Sequence, residues 1–82
     1  MDKLIGKVTH FFDKAMVAVI LLDDKVSTGD TIKFKKIGEE FEQKVESMQI
    51  DHKQINSAKK GEEIAIKVDQ AVKEGAEVHL AE

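Results

Sequence analysis

A short glycine-led pattern recurs three times in this chain, at Gly29, Gly61 and Gly75. In each copy a β-branched residue stands three positions after the glycine, and an apolar residue follows two positions later. Glycine permits the positive φ of a tight turn, and successive side chains of a strand point to opposite faces. These glycines are therefore predicted to be structural turns, each leading into a strand with one buried face.

The rest of the chain also consists of short strand-like segments. The region 63–68 places Ile64, Ile66 and Val68 on an inner face and Ala65 on the outer face. The region 52–60 is polar and predicts an irregular or one-turn helical connection. The predicted strands are 4–12, 15–22, 31–37, 41–51, 63–68 and 77–80.

The predicted strand 41–51 contains a change of parity. Phe41 and Val45 stand at odd positions, whereas Met48 and Ile50 stand at even positions. Apolar residues cannot change parity within one strand unless an extra residue is inserted. We therefore predict a β-bulge near residues 46–47.

Two consecutive aromatic residues close the first predicted strand. Phe12 shares the parity of Val8 and is expected to point inward, which leaves Phe11 outward beside Met16. An outward Phe11 with Met16 would form a small apolar patch for a partner. The alternative is that residues 55–58 cover it, and we favour the covered arrangement.

Six strands in 82 residues, 41% of them hydrophobic, provide one modest core and one domain over residues 1–82. A flat sheet would leave one face unburied and both edges open. A barrel or a tight sandwich removes both problems. The predicted fold class is all-β, a small closed six-stranded β-barrel.

Composition excludes several functions. The formal net charge is −3 and all 13 basic residues are lysine, so the bidentate grip of arginine on phosphates and guanine is missing. Cysteine is absent, which excludes disulfides and thiolate chemistry. The apolar run 15–22 is too short to span a bilayer, and residues 1–7 lack the apolar core of a signal peptide. We expect a soluble cytoplasmic protein with no membrane contact.

Lysines supply the candidate contact residues for RNA. Alternation places Lys33 and Lys35 on the outer face of one strand, and a neighbouring strand would extend that face. Glutamates are interleaved with these lysines, which favours protection of an exposed strand over phosphate binding. The residues of this predicted stripe are Lys33, Lys35, Lys44, Lys53, Lys59 and Lys60.

No catalytic, cofactor or metal site is predicted. The three histidines, His10, His52 and His79, lack the short fixed spacing of metal ligands. None of the serines stands in a nucleophile-elbow pattern. Adjacent carboxylates occur in predicted turns, where solvated charge is expected.

Several short motifs resemble, in the same order, the domain II β-barrel of elongation factor Tu-like GTPases. They also resemble the C-terminal barrel of collagenase-like peptidases and small translation elongation factor-like proteins. The resemblance covers about residues 4–80 and rests on residues 5–8, Val26 with 29–32, 45–49, Ala58 with 61–62, and 64–66. It implies a six-stranded Greek-key barrel of the translation-protein type.

In the GTPases this barrel lies beside the nucleotide domain and contacts tRNA or ribosomal RNA. The phosphate-binding loop Gly-x-x-x-x-Gly-Lys-Ser/Thr is absent here, so GTP binding by the usual cradle is not expected. A shared fold does not transfer a function.

The sequence therefore predicts a non-enzymatic, monomeric binding module that docks a protein or ribonucleoprotein partner. One alternative is a weak RNA-contacting accessory of translation or RNA modification. A small hydrolase is the other alternative. Whether the domain acts in trans with a peptidase-like protein stays open at this point.

Overall fold

The computed structural model describes residues 3–51 and 53–81, and these residues form strands, turns and loops without a helix. The predicted all-β class is confirmed. Nothing within the described ranges is a helix long and apolar enough to cross a bilayer. The strands are β1 Lys3–Phe12, β2 Val17–Leu22, β3 Val26–Ser27, β4 Thr31–Lys36, β5 Glu39–Lys44, β6 Met48–Ile50, β7 Lys53–Ile55, β8 Ser57–Ala58, β9 Glu63–Lys67 and β10 Glu77–Leu80.

Eight strands form one antiparallel sheet in the order β5-β4-β10-β1-β2-β9-β6-β7, and β3 pairs with β8 in a separate ribbon. The final strand, β10, lies between β1 and β4, in the interior of the sheet. One face of the sheet encloses the core, and Ile64, Ile66 and Val68 are buried there as the alternation predicts. The buried hydrophobic residues are Ile5, Val8, Ala18, Ile20, Leu22, Val26, Ile32, Phe34, Val45, Met48, Ala58, Ile64, Ile66, Val68, Val72, Ala76 and Val78.

The predicted closed six-stranded barrel is not confirmed, because the sheet has two edges, β5 and β7. At the β5 edge a side chain replaces part of the missing backbone ladder. The Gln43 amide nitrogen donates to the carbonyl of Lys67 at 3.0 Å, and its oxygen accepts from the amide of Asp69 at 3.0 Å. We call this contact of Gln43 with Lys67 and Asp69 the seam. It covers one end of the β5 edge, and the rest of β5 has no second strand partner among the described residues.

Strand β1 contains a bulge that reverses the predicted orientation of its aromatic residues. Val8 lies opposite Ile20, but His10 lies opposite Val19, so Thr9 is an extra residue. An extra residue moves all following side chains to the other face. Phe11 consequently packs against the core and Phe12 is 54% exposed. The prediction of an inward Phe12 and an outward Phe11 is wrong.

The predicted long strand 41–51 is two strands with a corner between them. β5 ends at Lys44 and pairs with β4, whereas β6 begins at Met48 and pairs with β9 and β7. The parity change therefore marks the passage of the chain between two distant positions of the sheet rather than a bulge. Val45 in this corner exchanges backbone hydrogen bonds with Gly29 and Asp30, both at 2.8 Å.

One further segment differs in detail from the sequence-based expectation. The region 53–58 is not helical but contains β7 and β8, with Ile55 half-buried and Ala58 buried. His52, within the same predicted connection, lies outside the described residues. At the predicted turns Gly29, Gly61 and Gly75, φ is 92°, 89° and 87°, the left-handed region that glycine adopts without strain.

Candidate docking surface

The outer face of β2 is apolar along its whole length. Alternate residues of this strand are buried in the core, and the remaining three, Val17, Val19 and Leu21, point outward. Leu21 is 45% exposed, and Val19 lies opposite Ala65 of β9. Antiparallel strands with one solvated face normally alternate apolar and polar residues. The outer face of β2 therefore has more apolar surface than the core of this chain requires.

Phe12 extends the same face toward the end of β1. It lies opposite Val17, and its ring stacks on the His10 imidazole with centroids 6.2 Å apart and planes at 30°. The bulge at Thr9 directs Phe12 outward, so the exposed ring is a consequence of the fold. We call the resulting contiguous area the outer strip, which consists of Phe12, Val17, Val19, Leu21 and Ala65.

A groove of about 480 Å³ lies along the outer strip except at Leu21, and it is bordered by Gln49, Asp51 and Glu63. The Thr9 hydroxyl lies 3.1 Å from a Glu63 carboxylate oxygen and 3.2 Å from the carbonyl oxygen of Val19. The bulge residue thus also connects to the acidic border of the groove. An apolar centre with a polar rim is the anatomy of a protein interface.

The sequence-predicted patch of Phe11 and Met16 differs from the outer strip. Phe11 packs against the core, and Met16 is half-buried in the β1–β2 turn with a φ of 53°. The sequence signal for the strip was the run 15–22, which lacks polar alternation. The structure buries only one face of β2 within this run.

Two of the predicted contact lysines, Lys33 and Lys35, lie on the outer face of β4 among carboxylates. The Lys33 ammonium is 3.6 Å from Glu40 and 3.8 Å from Glu42. Lys35 stands opposite Glu40 on one side and opposite Glu77 on the other. Neighbouring negative charge reduces the attraction of this surface for phosphates.

The other predicted lysines are spread over the molecule. Lys44 lies on β5 and Lys53 on β7, which are opposite edges of the eight-stranded sheet. Lys44 stands opposite Thr31 and extends the outer face of β4 as expected, whereas Lys53 does not. Lys59 and Lys60 lie in the connection between β8 and β9. Phosphate contact by any of these residues stays a prediction.

The two described histidines each lie beside a carboxylate. His10 Nδ1 is 3.2 Å from Glu74 Oε2, and His79 Nε2 is 3.1 Å from Glu77 Oε1. His52 falls outside the described part of the chain. Residues 3–51 and 53–81 contain no group of three or more His, Asp or Glu residues arranged to hold a metal ion.

A second concave feature lies beside the β5 edge. It is a cleft of about 450 Å³ between the β4–β5 hairpin and residues 70–73. Its apolar part is formed by Phe41, Val72 and Ala76, and Phe41 stacks on Phe34 with centroids 5.0 Å apart. The cleft and the groove along the outer strip thus both combine apolar side chains with a polar border.

No family model matches this chain. Over 79 residues it is 43% identical to an uncharacterized protease of Methanocaldococcus jannaschii. The match covers 93% of this chain but only 19% of that protease, so the chain spans about a fifth of its curated relative.

The fold is shared with the C-terminal domain of a putative U32 peptidase from Geobacillus thermoleovorans. One crystal structure of that domain superposes with a TM-score of 0.91 at 16% identity, covering 98% of this chain and 93% of that chain. Its selenomethionine variant gives 0.87 at 18% identity, covering 93% and 96%. These matches agree with the resemblance to peptidase C-terminal barrels and do not bear on the resemblance to translation factors.

Proposed function

We propose that this chain is a non-catalytic docking domain of the U32 peptidase type, which binds the body of a protease through the outer strip. The observation that carries the proposal is the outer face of β2, whose residues Val17, Val19 and Leu21 replace the polar residues expected on a solvated face. The similarity to a segment forming 19% of a protease supplies the partner class.

The two most exposed side chains of the outer strip supply part of the free energy that a tethered contact needs. Complete burial of a Phe or Leu side chain contributes about 1.5–3 kcal/mol. Phe12 is 54% and Leu21 is 45% exposed, so a partner that covers both adds roughly 1.5–3 kcal/mol in total. Within one polypeptide, or with a short linker, the effective concentration reaches about the millimolar range. Half-occupancy at that concentration needs about 4 kcal/mol, so Phe12 and Leu21 supply roughly half of it and the rest of the outer strip and its polar border must supply the remainder.

The ribonucleoprotein and RNA-contacting roles have weaker support. Lys33 is balanced by Glu40 and Glu42, and Lys44 and Lys53 lie at opposite edges of the sheet. Binding of RNA that falls steeply with salt would favour them nonetheless. A filter-binding titration with total RNA at two salt concentrations separates these roles from protease docking.

The docking proposal is tested in a chimera in which this chain replaces the matching segment of the M. jannaschii protease. Hydroxyl-radical footprinting would compare the reactivity of Phe12 and Leu21 in the chimera with that in the isolated chain. We expect both side chains to become protected in the chimera. Ile37, which is fully exposed at the tip of the β4–β5 hairpin, is the internal control and should stay reactive.

Matched variants complete this test. Phe12→Ser with Leu21→Ser should release the domain, measured as faster limited proteolysis of the connection between the domain and the protease body. Ile37→Ser removes comparable exposed apolar surface elsewhere and should leave that connection unchanged. Equal reactivity of Phe12 and Leu21 in the chimera and in the isolated chain would exclude docking through the outer strip.

A further inference from the structure

The edge of β5 offers a second interaction surface that is independent of the outer strip. β5 pairs with β4 on one side and, among the described residues, has no strand on its other side. The β4–β5 loop has two residues, so Lys36 and Glu39, which flank it, form a hydrogen-bonded pair. Hydrogen-bonded pairs then recur at every second position along the two strands. The backbone groups of Glu40 and Glu42 therefore point away from β4. The carbonyl of Thr31 is consistent with this alternation, because it accepts a hydrogen bond from the Ala81 amide on the side of β4 that faces away from β5.

The unpaired part of this edge is short and well defined. At its far end Gln43 connects β5 to Lys67 and Asp69, so the edge is accessible only over Glu39–Glu42. At the near end the Lys73 ammonium lies 3.5 Å from Glu39, across the mouth of the cleft. Both side chains of that pair are more than half exposed, and an exposed ion pair stabilises little. An incoming segment can displace it readily.

The cleft of about 450 Å³ lies directly beside this edge. Its volume falls within the range of about 300–1,000 Å³ that binding pockets show. Phe41 points toward the apolar side of the cleft with Val72 and Ala76, whereas Glu40 and Glu42 lie on the outer face. A strand added to the edge would thus meet an apolar site between two carboxylates.

Strand β4 shows which pattern of side chains suits β5. Opposite Glu40, Phe41 and Glu42 it places Lys35, Phe34 and Lys33. β5 presents the same alternation of side chains to both of its edges. Opposite charges and stacked aromatic rings across a strand pair are favourable. The free edge is therefore complementary to a segment in which an apolar residue stands between two basic residues.

We propose that the edge of β5 binds an extended peptide segment of the pattern basic–apolar–basic, which adds a strand to the sheet and places its apolar side chain in the cleft. Backbone ladder bonds would provide affinity, and the alternate side chains would provide selectivity. The partner is a Lys- or Arg-containing extended segment of a protein. This proposal does not depend on docking through the outer strip.

The test uses the full chain and a capped peptide that copies β4, Thr-Ile-Lys-Phe-Lys-Lys, at low ionic strength. We expect amide hydrogen exchange of Glu40 and Glu42 to slow at least tenfold at saturation. A peptide with glutamate in place of its lysines should bind at least tenfold more weakly. Protection elsewhere, such as on β7, would overturn the proposal.

Backbone methylation of the peptide distinguishes strand addition from simple charge attraction, and it leaves the protein unaltered. A strand directs alternate N–H groups to opposite sides, so only one half of them can pair with β5. Two peptides are compared, N-methylated at odd or at even positions. One should bind and the other should lose binding at least tenfold. Equal binding of the two peptides would refute strand addition.

A protein variant provides an independent check. Glu42→Pro removes an N–H that points away from β4, which an edge strand tolerates. It should abolish peptide binding and leave the β4–β5 ladder intact, seen as unchanged exchange of the Phe41 amide. Unaltered peptide binding by Glu42→Pro would also count against the proposal.

Discussion

Replacement of Gly6 by alanine tests the close approach of β1 and β2 on which the outer strip depends. Gly6 lies opposite Leu22 on β2 and opposite Val78 on β10, in the interior of the sheet. A Cβ atom at this position would be 2.5 Å from the carbonyl oxygen of Leu21 and 3.0 Å from a methyl carbon of Ile20. The first of these atoms is backbone, so relief requires β1 and β2 to separate.

The magnitude follows from two opposing terms. Overpacking of a well-packed site costs about 1–3 kcal/mol. Alanine for glycine restricts the unfolded chain and returns about 0.4–1 kcal/mol where the conformation allows it. We expect a net loss of about 1–2 kcal/mol. For a domain of this size, that loss lowers Tm by about 4–16 °C, because 1 kcal/mol corresponds to about 4–8 °C.

Thermal unfolding followed by circular dichroism measures this loss, and Gly38 provides the matched control. Gly38 has a φ of 80°, but a Cβ there would have no atom within 4 Å. Gly38→Asn should be nearly neutral, since asparagine tolerates the left-handed region, whereas Gly6→Asn should destabilise more than Gly6→Ala. If Gly6→Ala unfolds within 2 °C of the wild-type chain, a difference below about 0.5 kcal/mol, the steric argument is refuted.

Three further predictions follow from the core, the seam and one ion pair. Ile66 is 1% exposed, so Ile66→Ala should lose about 2–5 kcal/mol in urea unfolding, and a loss below about 0.5 kcal/mol would be incompatible with burial. Gln43→Ala should lose about 0.5–1.5 kcal/mol by the same assay and accelerate amide exchange of Asp69, whereas unchanged exchange would deny the seam a stabilising role. The pKa of Asp24 lies below its usual 3.8, chiefly because the Lys3 ammonium donates to its carboxylate at 2.7 Å. The backbone amide of Lys25, which also donates to Asp24, is the second cause. The stability that the ionised Asp24 contributes is present above pH 3.8 and is lost as pH falls through its lower folded pKa. Lys3→Met should therefore raise the pKa of Asp24 measured by NMR, and an unaltered value would contradict the pairing.

Local patterns were sufficient to predict the all-β class and the inward faces of the regular strands. Ile64 and Ile66 alternate with exposed or half-buried neighbours, and both are buried as expected. Gly29 and Gly75 stand at turns with positive φ. Both signals depend only on the period of two in a strand and on the backbone freedom of one residue. They are therefore present in the sequence itself.

The outer strip, the seam and the β5 edge were decided by tertiary structure. The extra residue at Thr9 exposes Phe12, and the apolar run 15–22 is compatible with burial on one face or on both. Gln43 is an ordinary polar residue until the fold brings Lys67 and Asp69 beside it. Strand partners and register are set by contacts between residues that are distant in sequence, and periodicity within one strand carries no information about them.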